Sequence, residues 1–137
     1  MAHCHLENIQ SGERDRSFRG LLVWQQAMVL ARGCYLLTKQ LPKEELYGLT
    51  SQIRRAAFSV PANIAEGSGR GTRRDFMNFL RIAQGSLREL ETYLLLTRTI
   101  HLIDQEAIAP LLDQVKSVAQ LLNRLIRSLD SILQRTT

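Results

Sequence analysis

The chain has 137 residues, 45% of them hydrophobic and 6% aromatic, with 8 Gly and 3 Pro, which is enough for one buried core and too poor in turn residues for an all-β domain. Its formal net charge is +5, and 15 of the 18 basic residues are Arg, so the positive charge is mostly planar guanidinium able to clamp phosphate or carboxylate through paired hydrogen bonds. Two cysteines with no paired spacing exclude a disulfide framework, and the absence of any long apolar run near the start excludes a membrane anchor or signal peptide.

Residues 1–17 show no periodicity and read as a disordered N-terminal tail; residues 18–137 read as the folded domain. His3, Cys4 and His5 crowd one end of that tail, which is a poor arrangement for a defined metal site, and no metal or cofactor is expected.

The first helix is predicted from about residue 20 to 40, with Trp24, Ala27, Met28, Ala31, Cys34, Tyr35 and Leu41 on its buried face, and Pro42 ends it. Lys43 to Tyr47 restart the chain with Glu44 and Glu45 in a first helical turn. The second helix places Leu49, Ile53, Ala56, Ala57, Val60 and Ile64 on one side and passes through Pro61, where a kink or break is expected. The run GSGRG at residues 67–71 terminates it, its alternating glycines supplying positive-φ freedom, and Thr72 caps the third helix with Asp75 three positions on.

Helix three carries Phe76, Leu80, Ala83, Leu87, Leu90 and Leu94 as its core stripe and ends near Arg98. Helix four, Gln105 to about Leu133, repeats Ile108, Leu111, Val115, Val118, Leu122, Leu125, Leu129 and Ile132 at heptad spacing, with Pro110 within its first two turns and Ala109 as the alternative start. Four such helices with short connections predict an all-α, up-down-up-down antiparallel four-helix bundle.

Helices three and four are more apolar than a four-helix core needs. Phe79, Ile82, Tyr93 and Leu96 form a second set on helix three, and Leu112, Leu121 and Ile126 widen helix four. A homo-oligomer is the natural sink, with Phe79, Ile82, Tyr93 and Leu96 as the expected interface.

The charge is concentrated. Residues 50–81 carry +4 of the net charge, through Arg54, Arg55, Arg70, Arg73, Arg74 and Arg81 against Glu66 and Asp75. These six arginines are the candidate nucleic-acid-binding residues. Along helix two, Gln52, Arg55, Ser59, Asn63 and Glu66 fall on one side as a polar ladder. It reads either as a recognition groove or as a structural network that serves the proline-disrupted backbone and pins the glycine loop.

Catalysis finds no support in the spacing. The glycine loop lacks the lysine and the preceding strand of a phosphate-binding loop, His101 has no nucleophile at a telling distance, and Glu89 and Glu91 diverge on a helix. No catalytic residue is assigned and the chain is read as a non-enzyme.

Residues 49–70, LTSQIRRAAFSVPANIAEGSGR, with VWQQAMVLA from Val23 and DFMNFLRIAQGSLRELETYL from Asp75, resemble the 23S rRNA intervening-sequence protein family, also called four helix bundle proteins. The resemblance covers about residues 18–130. It implies a four-helix bundle, commonly a homopentamer, from a bacterial family of mostly unknown function that is also similar to the accessory protein of diversity-generating retroelements. The motif positions are Gln52, Arg54, Arg55, Pro61, Asn63, Glu66, Gly67, Arg70, Ser86 and Glu89. The expectation is a cytoplasmic, oligomeric, nucleic-acid-associated accessory protein, with RNA as the first partner; the alternative is an interaction scaffold for an acidic protein. No membrane partner is expected.

Overall fold

The computed structural model describes residues 17–135; His3, Cys4, His5 and the tail reading of residues 1–16 lie outside them. Four helices follow one another: α1, Leu22–Thr38; α2, Leu49–Ser68; α3, Arg73–Thr99; and α4, Gln105–Arg135. Each packs on two neighbours, α1 on α2, α2 on α3, α3 on α4 and α4 on α1, and among the described residues no diagonal pair of helices brings Cα atoms within 8 Å. Short connections make successive helices antiparallel, so the chain is an up-down-up-down four-helix bundle.

The interior is aliphatic. Leu30, Ile53, Ile64, Leu80, Leu90, Leu94, Ile108 and Leu122 are almost wholly buried, each contributing about 1.5–3 kcal/mol by leaving water. The core stripes expected for α2 and α3 are buried apart from Leu49 and Phe76, which are half-buried at the edge, and the structure adds Thr50, Pro61 and Gly67 on α2 and Met77 and Thr97 on α3. The α4 seam is buried from Ile108 to Leu122 and half-buried beyond it at Leu125, Leu129 and Ile132. The last turns of α4 lie along the start of α3.

The α1 stripe differs from expectation. Its buried residues are Val23, Ala27, Leu30, Ala31, Cys34 and Leu37, whereas Met28 and Tyr35 are exposed and Trp24 is half-buried. α1 is apolar around most of its circumference, so periodicity alone could not choose which arc faces inward.

Local signals at the helix ends are mostly legible. Thr72 Oγ1 accepts from the Asp75 N–H at 3.2 Å, and α3 begins at Arg73. Glu44 and Glu45 belong instead to a separate 3-10 turn, Lys43–Glu45, and α2 starts after Gly48. The Glu45 carboxylate still serves that helix by accepting the Leu49 N–H at 3.2 Å. At the other end of α3 the Leu102 N–H bonds the Thr97 carbonyl and the His101 N–H bonds the Arg98 carbonyl, with His101 at φ 61°. This is a Schellman closure that normally uses glycine.

Neither proline interrupts its helix. α2 runs unbroken through Pro61, which is buried; packing of α1 and α3 on either side of α2 holds the turn that the missing N–H would otherwise loosen. α4 begins at Gln105, five residues before Pro110. There the proline deprives only the Glu106 carbonyl, in a first turn where Glu106 is exposed to solvent.

The glycine loop uses its residues differently from one another. Only Gly71 has positive φ, at 86°. Gly67 is helical and buried, and a Cβ there would stand 2.6 Å from Phe79 Cβ and 3.3 Å from the Phe76 carbonyl oxygen. It is glycine because α2 and α3 approach each other at that point, not because the chain turns.

Candidate functional site

The helix-two ladder lies along the α2–α3 seam. Arg55 donates to Gln52 Oε1 at 2.9 Å and to Glu89 Oε2 on α3 at 2.9 Å. One turn on, the Ser59 and Ser86 hydroxyls share a 2.8 Å hydrogen bond, and Asn63 Nδ2 donates to the Ser59 carbonyl at 2.8 Å and to Ser59 Oγ at 2.9 Å. Glu66 accepts from Arg70 at 2.8 Å. Every member of the ladder therefore has a partner within the chain, and the seam is stitched at two levels by Arg55–Glu89 and Ser59–Ser86. The Asn63 amide supports the Ser59 carbonyl and not that of Ala57, the group Pro61 leaves without its usual donor. Glu89 keeps the Arg55 guanidinium charged, first by that hydrogen bond and then by its negative charge.

The six candidate arginines do not form one patch. Arg54 and Arg55 leave α2 on opposite sides. Arg54 turns toward α1, donating to Thr38 Oγ1 at 2.9 Å with its guanidinium 4.3 Å from the Tyr35 ring centre. Arg55 turns to α3. The rest of α2 from Arg55 to Ser68, about 20 Å of helix, separates Arg55 from the loop that carries Arg70.

The remaining four gather at the α2–α3 end of the bundle. Arg70 is held by Glu66 and lies over the Phe79 ring, 4.9 Å from its centre. Arg73, Arg74 and Arg81 are exposed, with no hydrogen bond or ion pair to any described residue. Arg74 and Arg81 line a shallow surface hollow of about 330 Å³ with Met77, Asn78, Asp130 and Leu133. That hollow brings the end of α4 against the start of α3, and so carries Arg127 and Arg135, both exposed, to the same end of the molecule. Charge summed along the chain missed these two, because the acids Glu106 and Asp113 in the first half of α4 cancel them in sequence while lying far from them in space.

The expected oligomer residues divide in two. Ile82 and Leu96 are exposed on the outer face of α3, while Phe79 and Tyr93 are half-buried. Phe79 abuts Gly67 and carries Arg70, and Tyr93 packs against the core beside Arg55. Leu112, Leu121 and Ile126 of α4 are likewise half-buried against the core.

A second exposed apolar feature had no place in the expectations. Between α1 and α2 runs a groove of about 510 Å³ lined by Trp24, Met28, Tyr35, Phe58, Pro61 and Ala62, among others. Tyr35 and Phe58 stack across it with ring centres 6.3 Å apart. Its signal in the sequence was the near absence of charge on α1, which carries only Arg32.

Cys34 is buried in the core and unpaired, and desolvation pushes its thiol up to about 12. It is a small core residue and not a nucleophile. Among the described residues no three His, Cys, Asp or Glu side chains gather as a metal site, and no helix is long and apolar enough to cross a membrane.

A family model described as 23S rRNA-intervening sequence protein matches residues 19–124. Among solved structures, the chain is similar to a protein of unknown function from the S23 ribosomal protein family of Bacteroides thetaiotaomicron VPI-5482, with 27% sequence identity and a TM-score of 0.72, over 77% of this chain and 98% of that one. Among curated proteins none matches this chain.

Proposed function

The chain belongs to the 23S rRNA-intervening sequence protein family, and from that membership we propose that it is a non-enzymatic, self-associating, cytoplasmic accessory protein that binds RNA through the α2–α3 end of the bundle. The observation that carries this reading is the set of Arg73, Arg74 and Arg81 guanidiniums, exposed and without a partner among the described residues, beside Arg70 and the basic end of α4. Unpaired guanidiniums at one end of a rigid bundle present phosphate-binding groups without first breaking internal ion pairs. Arg54 and Arg55 are already committed to Thr38, Tyr35 and Glu89, so they contribute to the bundle and not to this surface.

Recognition by such a surface follows the backbone and shape of the RNA more than its bases. The exposed aromatic side chains that could stack with bases lie elsewhere than among these arginines: Tyr35 and Phe58 in the α1–α2 groove, and Tyr47 in the connection from α1 to α2. Self-association draws on the exposed Ile82 and Leu96 of α3 and, by the resemblance of the family, on a homopentameric arrangement. A cytoplasmic setting agrees with a buried, unpaired Cys34.

The test is binding of a labelled RNA duplex and of a single strand across a salt series. The affinity of the wild type should fall steeply with salt. Changing Arg73, Arg74 and Arg81 together to Ala should weaken binding and reduce the slope of log K against log salt by about 2 for a single strand and about 3 for a duplex. Unaltered affinity and slope in the triple variant would remove the site. An acidic protein as the partner instead would show as tight binding to polyglutamate with no preference for RNA at equal charge.

A further inference from the structure

Two separate apolar exposures lie on different faces of the bundle. On the first, α1 exposes Leu22, Val29 and Leu36, at 56%, 43% and 48%, each seven residues from the next. Beside them lies the α1–α2 groove with Met28, Tyr35 and Phe58. A helix this apolar around its circumference belongs inside something larger. From their exposed fractions and typical side-chain areas, these six residues alone show roughly 500 Å² of surface, against about 800 Å² per partner in a standard interface.

The second exposure is the outer strip of α3. Ile82 and Leu96 are 51% and 43% exposed, and Gly85 stands between them with nothing within 4 Å of where its Cβ would be. Along its centre the strip presents Ile82, Gly85, Glu89, Thr92 and Leu96, with one acid and no cation. Ile82 to Leu96 spans about 21 Å, and Trp24 to Tyr35 along the groove about 17 Å.

A two-fold dimer buries the same patch on both copies, so either face used in that way leaves the other in water. Pairing groove with groove would also set Arg32, Lys39 and Arg54 against copies of themselves, with no acid on α1 to relieve them. A head-to-tail contact covers both exposures at once and seats a ridge in a concavity.

We propose that the α1–α2 groove of one copy receives the α3 strip of the next, so that the protein self-associates head to tail through Phe58 and its neighbours on one side and Ile82 and Leu96 on the other. This rests on the self-association reading above and says which surfaces meet. It moves half of the interface away from α3, where the sequence pattern had placed all of it.

The test uses two full-length variants, Phe58→Asp in the groove and Ile82→Asp on the strip, at exposed positions where an acid does not enter the core. Masses are read by sedimentation or native mass measurement, and folding by far-ultraviolet circular dichroism. The wild type should exceed the 15.6 kDa of one chain, each variant alone should fall to that mass, and an equimolar mixture should recover a one-to-one dimer and nothing larger, because one intact interface remains. A wild type that assembles while either variant assembles equally well, or a mixture that stays at the single-chain mass, overturns the head-to-tail assignment and leaves self-association standing. A wild type that is itself monomeric overturns both. Should a variant fail to fold, a Phe58→Cys, Ile82→Cys double variant in a Cys4→Ala background decides the matter. Mild oxidation should give a covalent ladder of chains, and an assembled sample that yields no ladder refutes the contact.

Discussion

Changing Gly67 to Ala should destabilise the bundle, although the same change in an exposed helix normally helps. Gly67 is buried within α2, and a Cβ there would stand 2.6 Å from Phe79 Cβ, 3.0 Å from Phe76 Cδ2 and 3.3 Å from the Phe76 carbonyl oxygen. Two of these neighbours are a Cβ and a backbone atom, which no rotamer change can move. To restore ordinary contact, α2 and α3 must separate locally by about 1 Å, and overpacking of this kind costs typically 1–3 kcal/mol. Helix propensity returns about 1 kcal/mol for replacing glycine by alanine. Because neither neighbour can move aside, the overpacking cost lies in the upper part of that range, about 2–3 kcal/mol, and the net expectation is a loss of about 1–2 kcal/mol, seen as a lower midpoint in urea unfolding at fixed protein concentration and a Tm lowered by several degrees. Gly85→Ala is the internal control, since its Cβ would meet nothing within 4 Å; in the isolated chain it should gain up to about 1 kcal/mol. If Gly67→Ala is neutral or stabilising, the close approach of α2 and α3 is not what selects glycine there, and the argument fails.

Ser59→Ala removes the partner of the Ser86 hydroxyl and of the Asn63 amide at once, and should cost about 1–3 kcal/mol; a double-mutant cycle with Ser86→Ala should show the two changes to be less than additive. His101→Gly relieves a left-handed residue in the Schellman closure and should raise stability by about 1 kcal/mol in the same urea assay. Cys34, in a Cys4→Ala background, should resist thiol reagents at neutral pH until the protein unfolds. Because burial raises its folded value to about 12 from the ordinary 9.0, the folded state retains that proton longer than the unfolded one. The stability contributed by this group is therefore complete below pH 9 and is lost as the pH rises from 9 toward 12. Cys34→Ala should flatten that part of the curve, and an unchanged alkaline slope would refute the assignment.

Much of the bundle was legible without coordinates. The stripes of α2 and α3 are regular, with polar residues between the aliphatic ones, so the inward arc is unambiguous. Thr72 and Asp75 signal a helix start by hydrogen-bonding chemistry that operates within four residues. α1 is ambiguous for the opposite reason: with Arg32 as its one charge, several arcs fit a buried face, and Met28 and Tyr35, which suit the core by spacing, line a groove instead, while Trp24 lines that groove and packs on the core. Pro61 does not break α2 and Pro110 does not set the start of α4, because a proline's local penalty is weighed in the fold against the contacts of the whole helix.

The candidate site shows the same division more sharply. Residue order determined four amphipathic segments, their approximate ends, the arginine excess of residues 50–81 and the ladder of polar residues on one side of α2, because each of these arises from neighbours within a few turns of helix. Only the tertiary structure decided that Arg54 and Arg55 point to opposite helices, that Arg73, Arg74 and Arg81 have no partner among the described residues while Arg127 and Arg135 join their end, and that α1 and α2 leave an apolar groove open. Those outcomes depend on which faces of antiparallel helices meet. That choice is made by burying the whole core at once, across residues tens of positions apart, and no local pattern along the chain contains it.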